Sequence, residues 1–254
     1  AAESSPSPEP DGAIAAPTGT RPAATAGDSK RGQALQVAFD LRARDVVVDL
    51  EVKAGRTMAL IGPNGSGKST LLKLLTRQHE LAGGRILLDG RDIHDYSVRG
   101  YAKEVAYLPQ HLPAATALTA RELVMMGRYA WSGLLGRTND ADREAVAQAF
   151  RLTHTEKFTG QIVDTLSGGE RSRIWLAMCL AQQSRFLLLD EPLAALDIAH
   201  QIEVMALVQK LSRDLGLGVI IVIHDINLAA QYCDELVALK QGRLLKTGRP
   251  SEIM

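Results

Sequence analysis

A run of glycines around one lysine is the clearest chemical signal in the sequence. Residues 62–69 fit the pattern G-x-x-x-x-G-K-[ST] and lie between an apolar strand and a helix-forming stretch. Backbone N–H groups in such a loop can bind phosphate oxygens at a helix N-terminus. Lys68 would add positive charge for the β- and γ-phosphates, and the Ser69 hydroxyl could ligate Mg²⁺. A ligand-free, glycine-rich turn from strand to helix is the alternative. The predicted nucleotide-binding residues are Gly62, Pro63, Asn64, Gly65, Ser66, Gly67, Lys68, Ser69 and Thr70.

Two adjacent carboxylates follow an apolar segment at residues 186–189, which is typical of a buried strand. Side chains alternate along a strand, so Asp190 and Glu191 project differently. One could face the Mg²⁺ shell while the other polarises a water molecule beside the γ-phosphate. An acidic strand end that only meets solvent is the competing interpretation.

His224 follows another apolar run, at residues 219–223. In a parallel sheet it would emerge at the same carboxyl edge as the glycine-rich loop and the two carboxylates, and ligands bind at that edge. It could there hold the γ-phosphate and the attacking water. A helix cap or an ordinary surface histidine is the alternative.

The elements that must position these residues alternate between short β-branched runs and helical patterns. Helices are predicted from about residue 68, over 170–183 and over 199–215, whereas the segment between residues 112 and 166 is a helical insertion with capping candidates Thr119 and Asn139. Apolar strands covered by helices indicate an α/β layered domain. The predicted strands are 46–52, 58–61, 85–88, 105–108, 186–189, 219–223 and 236–239.

The composition excludes several functions. Lys plus Arg and Asp plus Glu each total 29, so no net positive charge attracts nucleic acid. The longest apolar run, residues 174–181, is far shorter than the ~20 residues that cross a bilayer as a helix. Cys179 and Cys233 are expected to be buried thiols. Residues 1–33 are rich in Ala and Pro and predict a disordered tail.

The stretch Leu166, Ser167, Gly168, Gly169 and Glu170 resembles the signature motif of ATP-binding cassette (ABC) ATPases. Ser followed three residues later by Glu is also a capping box, which alone is the simpler interpretation. The other motifs of this family occur in the expected order over residues 34–254. Gln110 resembles the Q-loop, His224 the switch histidine, and the D-loop is matched by Ala195, Leu196 and Asp197.

The resemblance implies a P-loop NTPase fold of the ABC type, with a RecA-like mixed-sheet core and a helical subdomain at about 112–183. It implies that ATP and Mg²⁺ bind, that Glu191 is the catalytic base and that Lys68 and His224 complete the γ-phosphate site. Gln110, with Ser69 and Asp190, would contact the metal, and Phe39 would stack on adenine. The chain would form a homodimer in which the signature motif and D-loop of one copy face the ATP of the other.

Residues 105–113, 119–124 and 127–131 resemble ATPases of iron-siderophore, haem and cobalamin importers. Residues 197–201 and 224–234 are most similar to the ferric-hydroxamate, ferrichrome-type branch. This implies an ATPase at the cytoplasmic face of the inner membrane, working with a permease and a siderophore-binding protein. Residues 125–136 would receive a permease helix, or else fill the insertion's own core. The alternatives are a cobalamin or haem cargo, or a soluble ABC ATPase without a membrane partner.

Overall fold

The computed structural model describes residues 34–41, 46–81, 83–132, 138–194 and 196–253, and the side chains of 36–41 and 46–49 are excluded. The tail predicted at residues 1–33 lies outside these ranges. None of the described helices has the length and hydropathy that a membrane span requires.

The described strands form one ten-stranded sheet in the order β5-β4-β1-β2-β10-β9-β3-β8-β7-β6. Strands β3, β8, β7 and β6 pair in parallel, and β9 pairs in parallel with β3. The other half is mainly antiparallel, so the sheet is mixed, as predicted. The strands are β1 Ala34–Leu41, β2 Val46–Lys53, β3 Thr57–Ile61, β4 Arg85–Leu88, β5 Arg91–Asp92, β6 Val105–Leu108, β7 Phe186–Leu189, β8 Gly218–Val222, β9 Glu235–Lys240 and β10 Arg243–Gly248.

Helices cover both faces of this sheet, with short 3₁₀ turns between some of them. Thr119 and Asn139 each form a complete capping box at a helix N-terminus, as predicted. The helices are α1 Lys68–Leu75, α2 Val98–Ala102, α3 Ala120–Met126, α4 Tyr129–Ser132, α5 Asp140–Thr153, α6 Gly168–Ala181, α7 Ile198–Leu215, α8 Ile226–Tyr232 and α9 Pro250–Ile253.

The central strands are buried on both faces because each face contacts a separate apolar core. On β7, Leu187 and Leu189 belong to the core that contains α3, α5, α6 and α7. Phe186 and Leu188 alternate with them and belong to the core around α1. Cys179 and Cys233 are buried, as predicted, and burial raises the pKa of each thiol to about 12.

Two long strands were missed by the sequence prediction. β10 has mostly exposed or half-exposed residues and pairs along its length with β9. β1 lies between β2 and β4 in the antiparallel half. β10 is held by long-range pairing and has little hydrophobic pattern of its own. In β1, the apolar residues Leu35, Val37, Phe39 and Leu41 do alternate with other residues, a pattern typical of a strand that the prediction did not use.

Candidate functional site

The glycine-rich loop joins β3 to the N-terminus of α1. Gly62 and Gly67 adopt φ values of 145° and 100°, in the region that favours glycine. A Cβ added at Gly62 would lie only 2.1 Å from the Leu239 carbonyl oxygen on β9. The backbone N–H of Gly242 also donates to the Ser66 carbonyl at 2.9 Å. The loop is therefore held against the β9–β10 hairpin in a conformation that needs glycine.

Lys68 is 5% exposed and its ammonium folds back over the loop. Its Nζ donates to the carbonyl oxygens of Gly62 at 2.8 Å and Pro63 at 3.1 Å. Burial lowers the pKa of Lys68, while the carboxylates of Glu191 and Asp190 act in the opposite direction. The ammonium is thus bound to neutral carbonyls and can transfer to a stronger anionic acceptor such as phosphate.

Asp190 lies across from the loop and is only 2% exposed. Its Oδ1 accepts a hydrogen bond from Ser69 Oγ at 3.0 Å, and its Oδ2 accepts one from Tyr107 Oη at 3.3 Å. Burial raises the pKa of Asp190, although the bond from Ser69 opposes this shift. Tyr107 was not among the predicted site residues, because a tyrosine on a predicted strand carries no motif that marks it.

The oxygen atoms around Asp190 fit Mg²⁺. This cation prefers hard oxygen ligands and is commonly bound by one or two carboxylates together with substrate phosphates. Ser69 and Asp190 supply a hydroxyl and a carboxylate in direct contact, beside the loop that would bind the phosphates. No group of three or more His, Cys, Asp or Glu side chains with metal-site geometry occurs among the described residues.

Glu191 contacts the two remaining predicted catalytic residues, Gln110 and His224. Its Oε2 accepts a hydrogen bond from Gln110 Nε2 at 2.5 Å, and its Oε1 lies 2.7 Å from His224 Nε2. Glu191 also has φ 49°, which is uncommon for a residue with a side chain. Unusual backbone conformations of this kind cluster at functional sites.

The order of the parallel strands explains why these residues meet. The loop follows β3, His224 follows β8, Asp190 and Glu191 follow β7, and Gln110 follows β6. These four strands are neighbours and point the same way. Their carboxyl ends therefore form one edge of the sheet, where ligands of such folds bind.

The signature residues form a different part of the surface. Ser167 and Glu170 make a full capping box at the N-terminus of α6, with Ser167 Oγ donating to Glu170 Oε2 at 2.7 Å. Hydrogen bonds from Ser167 lower the pKa of Glu170. Ser167 and Gly168 are exposed, so the end of α6 is open to a ligand or a second molecule. Both interpretations of the motif, a cap and an anion site, are compatible with this geometry.

The structure describes only part of the predicted D-loop and only the backbone of Phe39, the residue predicted to stack on adenine. Asp197 caps α7 by accepting from the His200 backbone N–H at 3.0 Å, and Leu196 precedes it. Ala195 lies outside the described residues. The backbone of Phe39 pairs with Val48 on β2, but its side chain lies outside what the structure describes.

Of the segment predicted to receive a permease helix, residues 125–136, the structure describes residues 125–132, called here the docking segment. Tyr129 and Trp131 are 48% and 44% exposed, and Met126 is also exposed. Val98 on the neighbouring α2 adds an exposed apolar side chain. The aromatic rings therefore do not fill the core of the insertion, which was the alternative interpretation.

Comparison with known proteins identifies similar sequences. The ABC transporter family model matches residues 47–194. The petrobactin import ATP-binding protein FpuC of Bacillus anthracis is 46% identical, covering 82% of this chain and 76% of its own. The iron(3+)-hydroxamate import ATP-binding protein FhuC of Bacillus subtilis is 41% identical, covering 83% and 79%. The hemin import ATP-binding protein HmuV of Streptomyces coelicolor is 44% identical, covering 81% and 72%.

Solved structures give the same fold. The cbiO1 subunit of an ABC transporter complex from Clostridium perfringens superposes with a TM-score of 0.76 at 28% identity, covering 88% of this chain and 91% of its own. The dimeric ABC transporter cassette MJ0796 gives a TM-score of 0.69 at 26% identity, covering 80% and 89%.

Proposed function

The chain belongs to the ABC transporter family, as an ATPase subunit, and we propose that it powers the import of ferric siderophores of the hydroxamate type. We assign the ATPase domain to residues 34–254 and its helical subdomain to about 112–183. The observation that supports the proposed catalytic mechanism is that two neighbouring carboxylates have different partners. Asp190 contacts Ser69, whereas Glu191 contacts Gln110 and His224.

ATP binding rests on the loop at residues 62–70. Its backbone N–H groups and the positive end of the α1 dipole attract phosphate. In the proposed complex, the Lys68 ammonium leaves the carbonyls of Gly62 and Pro63 and contacts the β- and γ-phosphates. Ser69, Asp190 and Gln110 would hold Mg²⁺, which supplies charge neutralisation of the phosphates when bound.

Hydrolysis is the transfer of the γ-phosphoryl group to water. The oxygen of a water molecule forms a bond to the γ-phosphorus while Glu191 accepts a proton from that water. The bond between the γ-phosphorus and the oxygen that bridges it to the β-phosphate breaks, and its electron pair stays on ADP. Gln110 and His224 hold the two oxygens of Glu191 in place beforehand. This positioning, with the charge of Lys68, accounts for the proposed acceleration.

Two copies are needed to complete each site in this proposal. ABC cassettes dimerise, as the relative MJ0796 does. The exposed N-terminus of α6, with Leu166, Ser167, Gly168, Gly169 and Glu170, would face the ATP bound by the other copy. The D-loop residues would lie at the same interface. ATP would close the dimer and hydrolysis would open it.

In this proposal the chain lies peripherally at the cytoplasmic face of the inner membrane, and its partners are integral permease subunits and, through them, a siderophore-binding protein. The support for docking is the exposed apolar surface of Met126, Tyr129 and Trp131 beside Val98. Aromatic residues and Met are enriched in the centres of protein interfaces. Tyr129→Ala is expected to reduce co-purification with the permease.

The names of relatives support the cargo. FpuC serves petrobactin import and FhuC serves iron(3+)-hydroxamate import. Haem is the second candidate, because the relative HmuV is a hemin import protein at 44% identity. Cobalamin import and a soluble ATPase without a permease are the remaining alternatives.

ATPase activity in lipid nanodiscs tests this proposal. The chain is reconstituted with its candidate permease and with a binding protein loaded with ferric hydroxamate, haem or cobalamin, or left empty. Stimulation by the ferric hydroxamate complex alone is expected. Stimulation by haem or cobalamin instead would reassign the cargo, and robust hydrolysis without permease binding would favour the soluble ATPase.

A further inference from the structure

The C-terminal end of α6 is capped by side chains from the docking segment. Arg128 Nη1 donates to the Ala181 carbonyl at 2.8 Å, and Trp131 Nε1 donates to the Gln182 carbonyl at 2.7 Å. The last turn of α6 contains no basic residue of its own. Carbonyls at a helix C-terminus lack partners within the helix, so these two donors satisfy groups that would otherwise need water.

Arg128 is held firmly in this position. It is 5% exposed, and its Nε donates to the buried carboxylate Asp142 at 2.9 Å. Its Nη1 also donates to Gln183 Oε1 at 2.9 Å. Asp142 in turn completes the capping box at the N-terminus of α5. A buried guanidinium with three fixed acceptors cannot be moved without disturbing both α5 and α6.

Trp131 connects this buried network to the exposed surface. One part of the indole is exposed, while its ring lies 5.0 Å from the Arg128 guanidinium and 4.4 Å from the Lys103 ammonium. The Gln182 side chain donates to the Val105 carbonyl at 2.9 Å, which ties this end of α6 to β6. Hydrogen bonds to Arg128, to Trp131 and to β6 thus hold the C-terminal end of α6, while its N-terminus carries the exposed signature residues.

We propose that Arg128 and Trp131 are positioning residues that form a clamp, through which a permease bound to the docking segment sets the orientation of α6. This inference rests on the proposed function. A helix of 14 residues is about 21 Å long, so a tilt of about 5° at its clamped end displaces the Ser167 end by about 2 Å. That displacement is comparable to a hydrogen-bond length and would decide whether the signature meets the ATP of the other copy.

The test compares two Trp→Phe substitutions. Trp131→Phe removes the N–H that binds the Gln182 carbonyl but keeps an aromatic ring next to Lys103 and Arg128. Trp175→Phe is the matched control, because Trp175 lies on α6 itself and its buried indole N–H has no hydrogen-bond partner among the described residues. Permease binding, the KM for ATP and the ratio of permease-stimulated to basal turnover are measured in nanodiscs for both variants and the wild type.

Trp131→Phe is expected to bind the permease and keep the wild-type KM, while its stimulation ratio falls by about threefold or more. Trp175→Phe is expected to keep the wild-type ratio. A wild-type ratio in Trp131→Phe, an equal loss in Trp175→Phe, or loss of permease binding by Trp131→Phe would each overturn the clamp. Absence of any stimulation of the wild type would instead overturn the proposed function, and the clamp with it.

Discussion

At the scale of single residues, the site depends on what each carboxylate contacts. Asp190 and Glu191 are adjacent in sequence, yet their partners are different elements of the fold. Glu191 is the candidate base because both of its oxygens already meet groups that can orient it. The left-handed backbone of Glu191 supports this separation, since the chain turns sharply directly after β7.

Glu191→Gln tests the role of the base. The variant keeps the size of the side chain but cannot accept a proton, so turnover is expected to fall by about 100-fold or more. ATP-dependent dimerisation, measured by light scattering, is expected to persist because Lys68 and Ser69 are unchanged. Glu235→Gln, at the start of β9, is the control for loss of one carboxylate. Turnover near the wild-type value in Glu191→Gln would remove Glu191 from this role.

Tyr107→Phe tests the residue that the sequence did not mark. Loss of the hydroxyl leaves Asp190 Oδ2 without its donor, and hydrogen bonds to charged groups contribute about 1.5–3 kcal/mol. Calorimetry is expected to show weaker ATP binding with Mg²⁺ and unchanged binding without it. Tyr96→Phe, which removes a comparable 3.3 Å bond to the Leu88 carbonyl, is the control. Equal Mg²⁺ dependence in both variants would contradict this role.

The sequence predicted the candidate site better than it predicted the contacts within it. Lys68, Asp190 and His224 each follow an apolar strand, and parallel strands bring such positions to one edge. The hydrogen bonds from Tyr107 and Gln110 depend on side-chain geometry across strands. No local pattern contains that information.

At the scale of elements, the N-terminus of α6 is a helix cap and is proposed also to contact the ATP of a second copy, and one substitution separates these two roles. Asp is as good an N-cap as Ser, but it places a second carboxylate beside Glu170 Oε2, so Ser167→Asp is expected to lower the melting temperature by only a few degrees. The new negative charge would repel phosphate, so ATP-dependent dimerisation is expected to be lost. Ser97→Asp makes the same change at the N-cap of α2, away from the site. If Ser167→Asp dimerised with ATP normally, the serine would be a cap and nothing more.

The buried pair Arg128–Asp142 stabilises the helical insertion. Burial favours the neutral acid, but hydrogen bonds from Arg128 and from the Asn139 backbone outweigh it and lower the pKa of Asp142 below its ordinary value of 3.8. A lowered carboxyl pKa stabilises the fold above that ordinary value, and the stabilisation is lost as the pH falls through the folded-state pKa.

Asp142→Asn is therefore expected to lower the free energy of unfolding by about 2 kcal/mol at pH 7. The difference from the wild type should narrow as the pH falls below about 4. Urea denaturation at several pH values measures both effects. A difference that stays constant over this pH range would show that the charge of Asp142 contributes little.

Apart from β1, the elements with strong local patterns were predicted well, whereas β10, which is held by pairing, was not. The helices at α5, α6 and α7 have buried stripes or clear caps, and β7 and β8 are wholly apolar. β10 reads Arg-Leu-Leu-Lys-Thr-Gly and is largely exposed, so its hydrophobic signal is weak. Its position follows from antiparallel pairing with β9.

At the scale of the whole molecule, the candidate ATP site and the candidate contact surfaces lie on different elements. The carboxyl edge of β3, β8, β7 and β6 carries the candidate ATP site, while the helices inserted after β6 carry the docking segment and the signature. α6 connects the last two, since its ends lie at Ser167 and at the clamp. In the proposed assembly, this arrangement would let an event at the permease reach the nucleotide of the other copy.

Uptake of radioactive iron into proteoliposomes tests the central claim most directly. The permease is inserted in the vesicle membrane, and the chain and Mg-ATP are enclosed inside the vesicles. A binding protein loaded with ferric hydroxamate is added outside. The wild type is expected to accumulate iron only when ATP is present, and Glu191→Gln is expected to accumulate none. Equal accumulation by the two chains, or none by a wild type that hydrolyses ATP, would contradict the account.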